Sequence, residues 1–127
     1  MNVVDSSAWL EYFAGGPNTS YFSPPIEDSE RLLVPAIVVC EVHRKLLQSR
    51  RTQSEILTVL GVLGSGRVVD LDSSLAMAAA RLGVEHRLPL ADSIVLASAR
   101  RFGATVWTQD ADFEDLDGVR YRPHRPG

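Results

Sequence analysis

Residues Leu88–Phe113, LPLADSIVLASARRFGATVWTQDADF, decide the fold, because they join a buried helix, a strand and three acidic residues with no loop to spare. Pro89 suits the first turn of a helix, where a missing N–H costs nothing. Asp92 follows within the next turn, where the helix dipole favours negative charge. From Ile94 to Ala99 the helix is apolar on nearly every side, and Ser93 and Ser98 are small enough to pack, which predicts a helix held between layers. Gly103 closes it. Ala104–Thr108 reads as a short buried strand, and Gln109-Asp110-Ala111-Asp112 follows at its carboxyl end, the edge where open α/β sheets bind their ligands.

Outward from this stretch, strands and helices alternate. Asn2–Asp5 is a strand and Ser6–Ala14 a helix ended by Gly15-Gly16-Pro17, with Ser6 and Ser7 able to cap it and leave Asp5 free. Asn18–Glu30 is expected to be irregular and surface-lying, with at most a helical turn around Tyr21, Phe22 and Ile26, whose exposed aromatics suit a partner. Arg31–Pro35 is a second strand, and the helix from Ala36 to about Arg50 has an apolar stripe of Val38, Val39, Val42, Leu46 and Leu47, with Glu41 beside it. Gln53–Leu63 completes a helical hairpin, and Gly64-Ser65-Gly66 turns into the strand Arg67–Leu71. Asp72, Ser73 or Ser74 caps the next helix, which runs through Leu75, Ala76, Ala79 and Leu82 and is expected to end or bend at Gly83. Val119–Arg122 alternates like an edge strand, and Pro123–Gly127 is expected to fray. The pattern predicts an α/β protein, a three-layer α/β/α sandwich with a mostly parallel central sheet.

The chain of 127 residues and 13.9 kDa has room for one domain, residues 1–127, with a real core. No apolar run approaches the roughly 20 residues of a membrane span, so no membrane partner is expected. Met1 leads into NVVD with neither a basic nor an apolar leader region, so a cytoplasmic location is the expectation. Cys40 is the only cysteine, which rules out an internal disulfide and a cysteine cluster and suggests a core filler. His43 and His86 are read as surface or packed groups outside any site. A net charge of −3 argues against wrapping duplex DNA.

Asp5 and Asp110 each follow a strand at its carboxyl end, Asp92 opens a helix, and Glu41 lies in the first turns of the helix after the second strand, so all four can face one crevice. Taken singly, each has a plainer reading: Asp5 as a cap, Glu41 as the ion-pair partner of Arg44 or Lys45. Crowded together they would raise one another's pKa values, an arrangement that makes sense chiefly if a cation neutralises them. Oxygen-only ligation selects a hard ion, Mg²⁺ or Mn²⁺, and such a site with waters left in its shell performs phosphoryl chemistry.

VVDSSAWLEYF, the Glu of VVCEV, LPLADSIVLASA and TQDADF, in that order and spread over nearly the whole chain, resemble PIN-domain endoribonucleases, specifically VapC-type toxins of toxin-antitoxin systems. The resemblance implies a PIN-like fold and a catalytic quartet of Asp5, Glu41, Asp92 and Asp110, with Asp5, Asp92 and Asp110 on the Mg²⁺ or Mn²⁺ ion and Ser6, Thr108 and Asp112 in support. It also implies cleavage of RNA, a homodimer, and inhibition by a cognate antitoxin. Between the two acids of the D-x-D pair, Asp110 is expected on the metal side and Asp112 as the cap of a short helix. Arg44 and Lys45 head the phosphate-contact candidates, followed by Arg50, Arg51, Arg87, Arg100 and Arg101. Two competing readings remain. In one, Asp5 accepts a phosphoryl group as in an aspartyl-phosphate phosphatase or phosphotransfer domain, although the chain lacks a second acid beside it; in the other, the fold serves as a catalytically silent interaction module.

Overall fold

The computed structural model describes residues 1–127. Five short strands, β1 (Asn2–Val4), β2 (Leu32–Pro35), β3 (Arg67–Val69), β4 (Thr105–Thr108) and β5 (Val119–Tyr121), form one parallel sheet in the order β3-β2-β1-β4-β5. Helices α1 (Ser6–Ala14) and α2 (Thr19–Glu27) join β1 to β2, α3 (Ala36–Gln48) and α4 (Gln53–Leu63) join β2 to β3, and α5 (Ser73–His86) and α6 (Leu90–Arg101) join β3 to β4. The chain leaves β1 toward β2 on one side and returns to pair with it through β4 on the other. The order therefore reverses between β1 and β4, and the carboxyl ends of those two strands frame a crevice.

The expected α/β sandwich is the observed one. In α6 every residue from Ser93 to Ala99 is buried, because the helix lies against β1, β2 and β4 on one side and under α5 on the other. Gly103 takes φ +62°, the left-handed turn after this helix that costs glycine nothing. A single cluster of 24 buried apolar residues surrounds the sheet, with Trp9, Phe22 and Phe113 its largest fully buried members. Burying a side chain of this size contributes about 2 to 3 kcal/mol.

Several local expectations are corrected. Asn18–Glu30 is ordered as α2, with Phe22, Pro25 and Ile26 buried at helical i, i+3, i+4 spacing. The burial of that stripe outweighs the two backbone bonds that Pro24 and Pro25 cannot make. Phe22 is fully buried and Tyr21 is half-buried against Trp107, so neither is a free aromatic. Cys40 and Leu47 lie exposed on α3, whose buried stripe is Val38, Val42 and Leu46. Gly83 neither ends nor bends α5. It lets α5 and α6 approach, since a Cβ there would collide with the Ser93 hydroxyl, and the helix continues to His86. The tail does not fray freely, because the Asn18 amide donates to the Pro123 carbonyl at 2.9 Å and Arg125 donates to the Asn18 side-chain oxygen at 3.3 Å.

Candidate metal centre

Asp5 is the residue that β1 delivers to the crevice. It is 4% exposed, and its carboxylate is held at both oxygens: Oδ1 accepts from the Ser7 hydroxyl at 2.6 Å and the Ala8 N–H at 3.2 Å, and Oδ2 from the Thr108 hydroxyl at 2.6 Å. Asp5 is therefore itself the N-cap of α1, where Ser6 or Ser7 was expected. Its extended backbone, ψ 171°, points the carboxylate back over the first turn, while the Ser7 hydroxyl bonds to that carboxylate. Burial pushes the Asp5 carboxyl up to about 6 against these hydrogen bonds, and the Asp110 charge adds to the rise. With both oxygens engaged and little surface open, Asp5 is poorly placed to attack a phosphoryl group.

Thr108 joins the two strand ends. Its fully buried hydroxyl donates to Asp5 and accepts from the Asp110 N–H at 2.8 Å, so the direction in which the chain leaves β4 is tied to the position of the β1 carboxylate. Asp110 then caps a 3-10 turn, Ala111–Phe113, by accepting from the Asp112 N–H at 2.9 Å. This corrects the expected cap but leaves Asp110 among the clustered acids. The cap is Asp110, and the Asp112 carboxylate is exposed beside it.

Asp92 is the third residue of α6, in the turn where the helix's free N–H groups favour an anion. Carboxylate oxygens of Asp92, Asp110 and Asp112 lie within 4.8 Å of one another. Burial pushes the half-buried Asp92 up to about 8, together with a hydrogen bond shared with Asp110 and the charges of Asp110, Asp5 and Asp112. Asp92 thus keeps its proton at neutral pH when no cation is present, the behaviour of an acid crowded by like charges. Glu41, half-buried on α3, is pushed above its ordinary range by burial and by the Asp110 charge, with the Ser6 hydroxyl pulling the other way.

The trio brought together is Asp92, Asp110 and Asp112; Asp5 and Glu41 stand outside it and feel it through charge. Glu41 makes no ion pair with Arg44 or Lys45, and both cations are exposed on α3. The set fits a hard divalent ion. It offers only oxygen donors, gathered within 4.8 Å of one another, which is the chemistry such an ion would take. The residue sequence reasoning missed is Gln109, which donates from its backbone N–H to the Ser7 hydroxyl at 3.3 Å and accepts at its side chain from the Asn18 amide at 2.6 Å. No periodicity marks these contacts, since they span the chain from Ser7 and Asn18 to Gln109.

A carboxylate site at the switch point of a parallel α/β sheet defines the structural class. A family model for the PIN domain matches residues 3–119, and the chain belongs to that family. Among solved structures, a toxin-antitoxin complex from Klebsiella pneumoniae is similar with a TM-score of 0.80 and 18% identity, over 94% of this chain and 96% of the other. VapC20 from Mycobacterium tuberculosis, described as a sarcin-ricin loop cleaving toxin, is similar over 97% of this chain and 100% of its own, with a TM-score of 0.77 and 20% identity. DNA-bound VapBC from Salmonella typhimurium is similar over 97% of this chain and 98% of its own, with a TM-score of 0.74 and 17% identity. At these identities the likeness is one of fold. Comparison with curated protein sequences gives no match. No helix is long and apolar enough to cross a membrane.

Proposed function

We propose that the protein is a metal-dependent endoribonuclease and the toxin of a toxin-antitoxin pair, acting in the cytoplasm. The observation that carries the reading is the convergence of the Asp92, Asp110 and Asp112 carboxylates within 4.8 Å, at the sheet edge of a PIN domain. The similarity to a toxin described as cleaving the sarcin-ricin loop supports RNA as the substrate. Asp92, Asp110 and Asp112 would hold Mg²⁺ or Mn²⁺, and Asp5, fixed through Thr108, would supply further negative charge behind them. When bound, the cation offsets the mutual repulsion of the acids, makes water more acidic and neutralises charge building on a phosphate. Glu41, half-buried on α3 and near enough to Asp110 to feel its charge, is the acid placed to take the proton of the water that attacks phosphorus, and the departing ribose oxygen receives a proton from solvent.

We assign the homodimer to the outer surface of α5 and α6, where Met77, Val84 and Leu90 stand exposed, and not to the segment around Tyr21 and Phe22. A cognate antitoxin is the second protein partner, supported by the similarity to structures described as toxin-antitoxin complexes. Incubation of purified protein with total RNA, with Mg²⁺, with Mn²⁺ and in excess EDTA, tests the activity. Cleavage is expected only with the ions and lost in Asp110→Asn, and undiminished cleavage in EDTA overturns the mechanism. Light scattering tests the dimer, and a monomer at micromolar concentration overturns it.

A further inference from the structure

An acidic crevice repels the polyanion it is proposed to cut, so a nuclease needs cationic counter-charge fixed close by. Such charge stands on β5, the sheet edge next to β4. Arg120 on β5 and Arg122, one residue past its end but still bonded to β4, are exposed and two residues apart, so they face the same side, about 7 Å apart along the backbone. Each guanidinium is stacked: Arg120 lies 5.0 Å from the centroid of the Trp107 ring, and Arg122 lies 4.1 Å from that of Tyr21. The two rings touch at 5.4 Å, and the Trp107 indole N–H is fixed by the Asn2 side chain at 2.9 Å. The ladder begins at the crevice. The Arg122 N–H donates to the Thr108 carbonyl at 3.0 Å, and Thr108 is the residue whose hydroxyl holds Asp5.

Neither arginine has a carboxylate within ion-pair distance. Stacking on a ring orders the guanidinium while leaving its outer face and its N–H edge open, which suits a base above it or a phosphate beside it. An arginine present only to discourage pairing at the sheet edge requires no such fixed orientation. We infer that Arg120 and Arg122, held on Trp107 and Tyr21, form a track along which single-stranded RNA runs from the acidic crevice. This rests on the nuclease reading and extends it to substrate binding at residues away from the acids.

The test is fluorescence polarisation of a short labelled single-stranded oligoribonucleotide at low ionic strength in EDTA, where no cleavage is expected, repeated across a salt series. The double variant Arg120→Gln/Arg122→Gln is expected to bind about tenfold more weakly, with the dependence of log Kd on log salt shallower by about 1.4, two contacts at about 0.7 each on a single strand. Arg67→Gln is the control, because that arginine is also ring-stacked, 4.9 Å from Phe102, but sits on β3 at the opposite edge of the sheet. It should bind like the wild type. Equal affinity and salt slope in the double variant overturn the track, as does an equal loss in Arg67→Gln or no binding by the wild type. RNA cleavage by the same wild-type preparation in Mn²⁺ separates failure of the track from failure of the nuclease reading.

Discussion

Removing the Asp92 charge should stabilise the metal-free protein by an amount that grows between about pH 4 and about pH 8. The Asp92 carboxyl is raised from 3.8 to about 8 in the folded chain, first by burial and then by its sharing with Asp110. Between those values the folded state keeps a proton that the unfolded state has lost, so stability falls as pH rises through the window and the full penalty is reached above about pH 8. Carried whole, the shift corresponds to about 6 kcal/mol. Asp92 is half open to solvent, and screening by water leaves about 2 kcal/mol, or about 8 °C in Tm for a chain of this size. The assay is thermal unfolding in EDTA across this pH range for the wild type and Asp92→Asn. The two should melt together at about pH 4 and below, where Asp92 is protonated in the fold and only beginning to ionise in the unfolded chain, and diverge progressively up to about pH 8 with the variant higher. Added Mn²⁺ should raise the wild type more than the variant. Parallel melting curves at all pH values, or a variant that is less stable at pH 8, would refute the crowding argument.

The D-x-D pair should separate by titration calorimetry and melting: Asp110→Asn and Asp112→Asn both weaken Mn²⁺ binding, with Tm within a degree or two of wild type, since an Asn at 110 can still accept the Asp112 N–H. Retained Mn²⁺ affinity in either variant removes that residue from the site. Thr108→Val keeps the shape but leaves the Asp5 carboxylate and the Asp110 N–H without their partner, so denaturant unfolding should show a loss of about 1 to 3 kcal/mol. Gly83→Ala should cost about 1 to 3 kcal/mol by forcing α5 off Ser93, and an unchanged melting point would show that the helices have room to spare.

The helices legible in the sequence are those whose burial follows a simple period or whose ends carry a cap. Ser6–Ala14 and Gln53–Leu63 are observed at their expected bounds because Gly15 in the left-handed region ends the first and Thr52 caps the second. The run from Ser93 to Ala99 announces its burial, since no face of it is polar. The segment Thr19–Glu27 is different. Its two prolines are strong local signals for a break, whereas the burial of Phe22 and Ile26 against the rest of the fold is a tertiary fact with no local marker. Cys40 and Leu47 fail for the converse reason. An apolar residue on an amphipathic helix is read as core, but α3 buries only the narrow stripe through Val38, Val42 and Leu46.

At the site, the strand ends put Asp5 and Asp110 in one crevice because position after a strand is a topological signal. The misread step is the turn. Asp112 as the cap of a short helix would stand apart from a metal-side Asp110. In the structure the Asp110 side chain instead accepts the Asp112 N–H, and the tight turn that results folds the two carboxylates toward each other and toward Asp92. The same bond that satisfies the backbone therefore gathers like charges, at a cost that grows with pH in the metal-free protein. A sequence with only a structural need for a cap at Asp110 has no reason to place a carboxylate at 112 and another at 92, where both worsen that repulsion. A bound divalent cation would turn the same contacts from a cost into the affinity of the site.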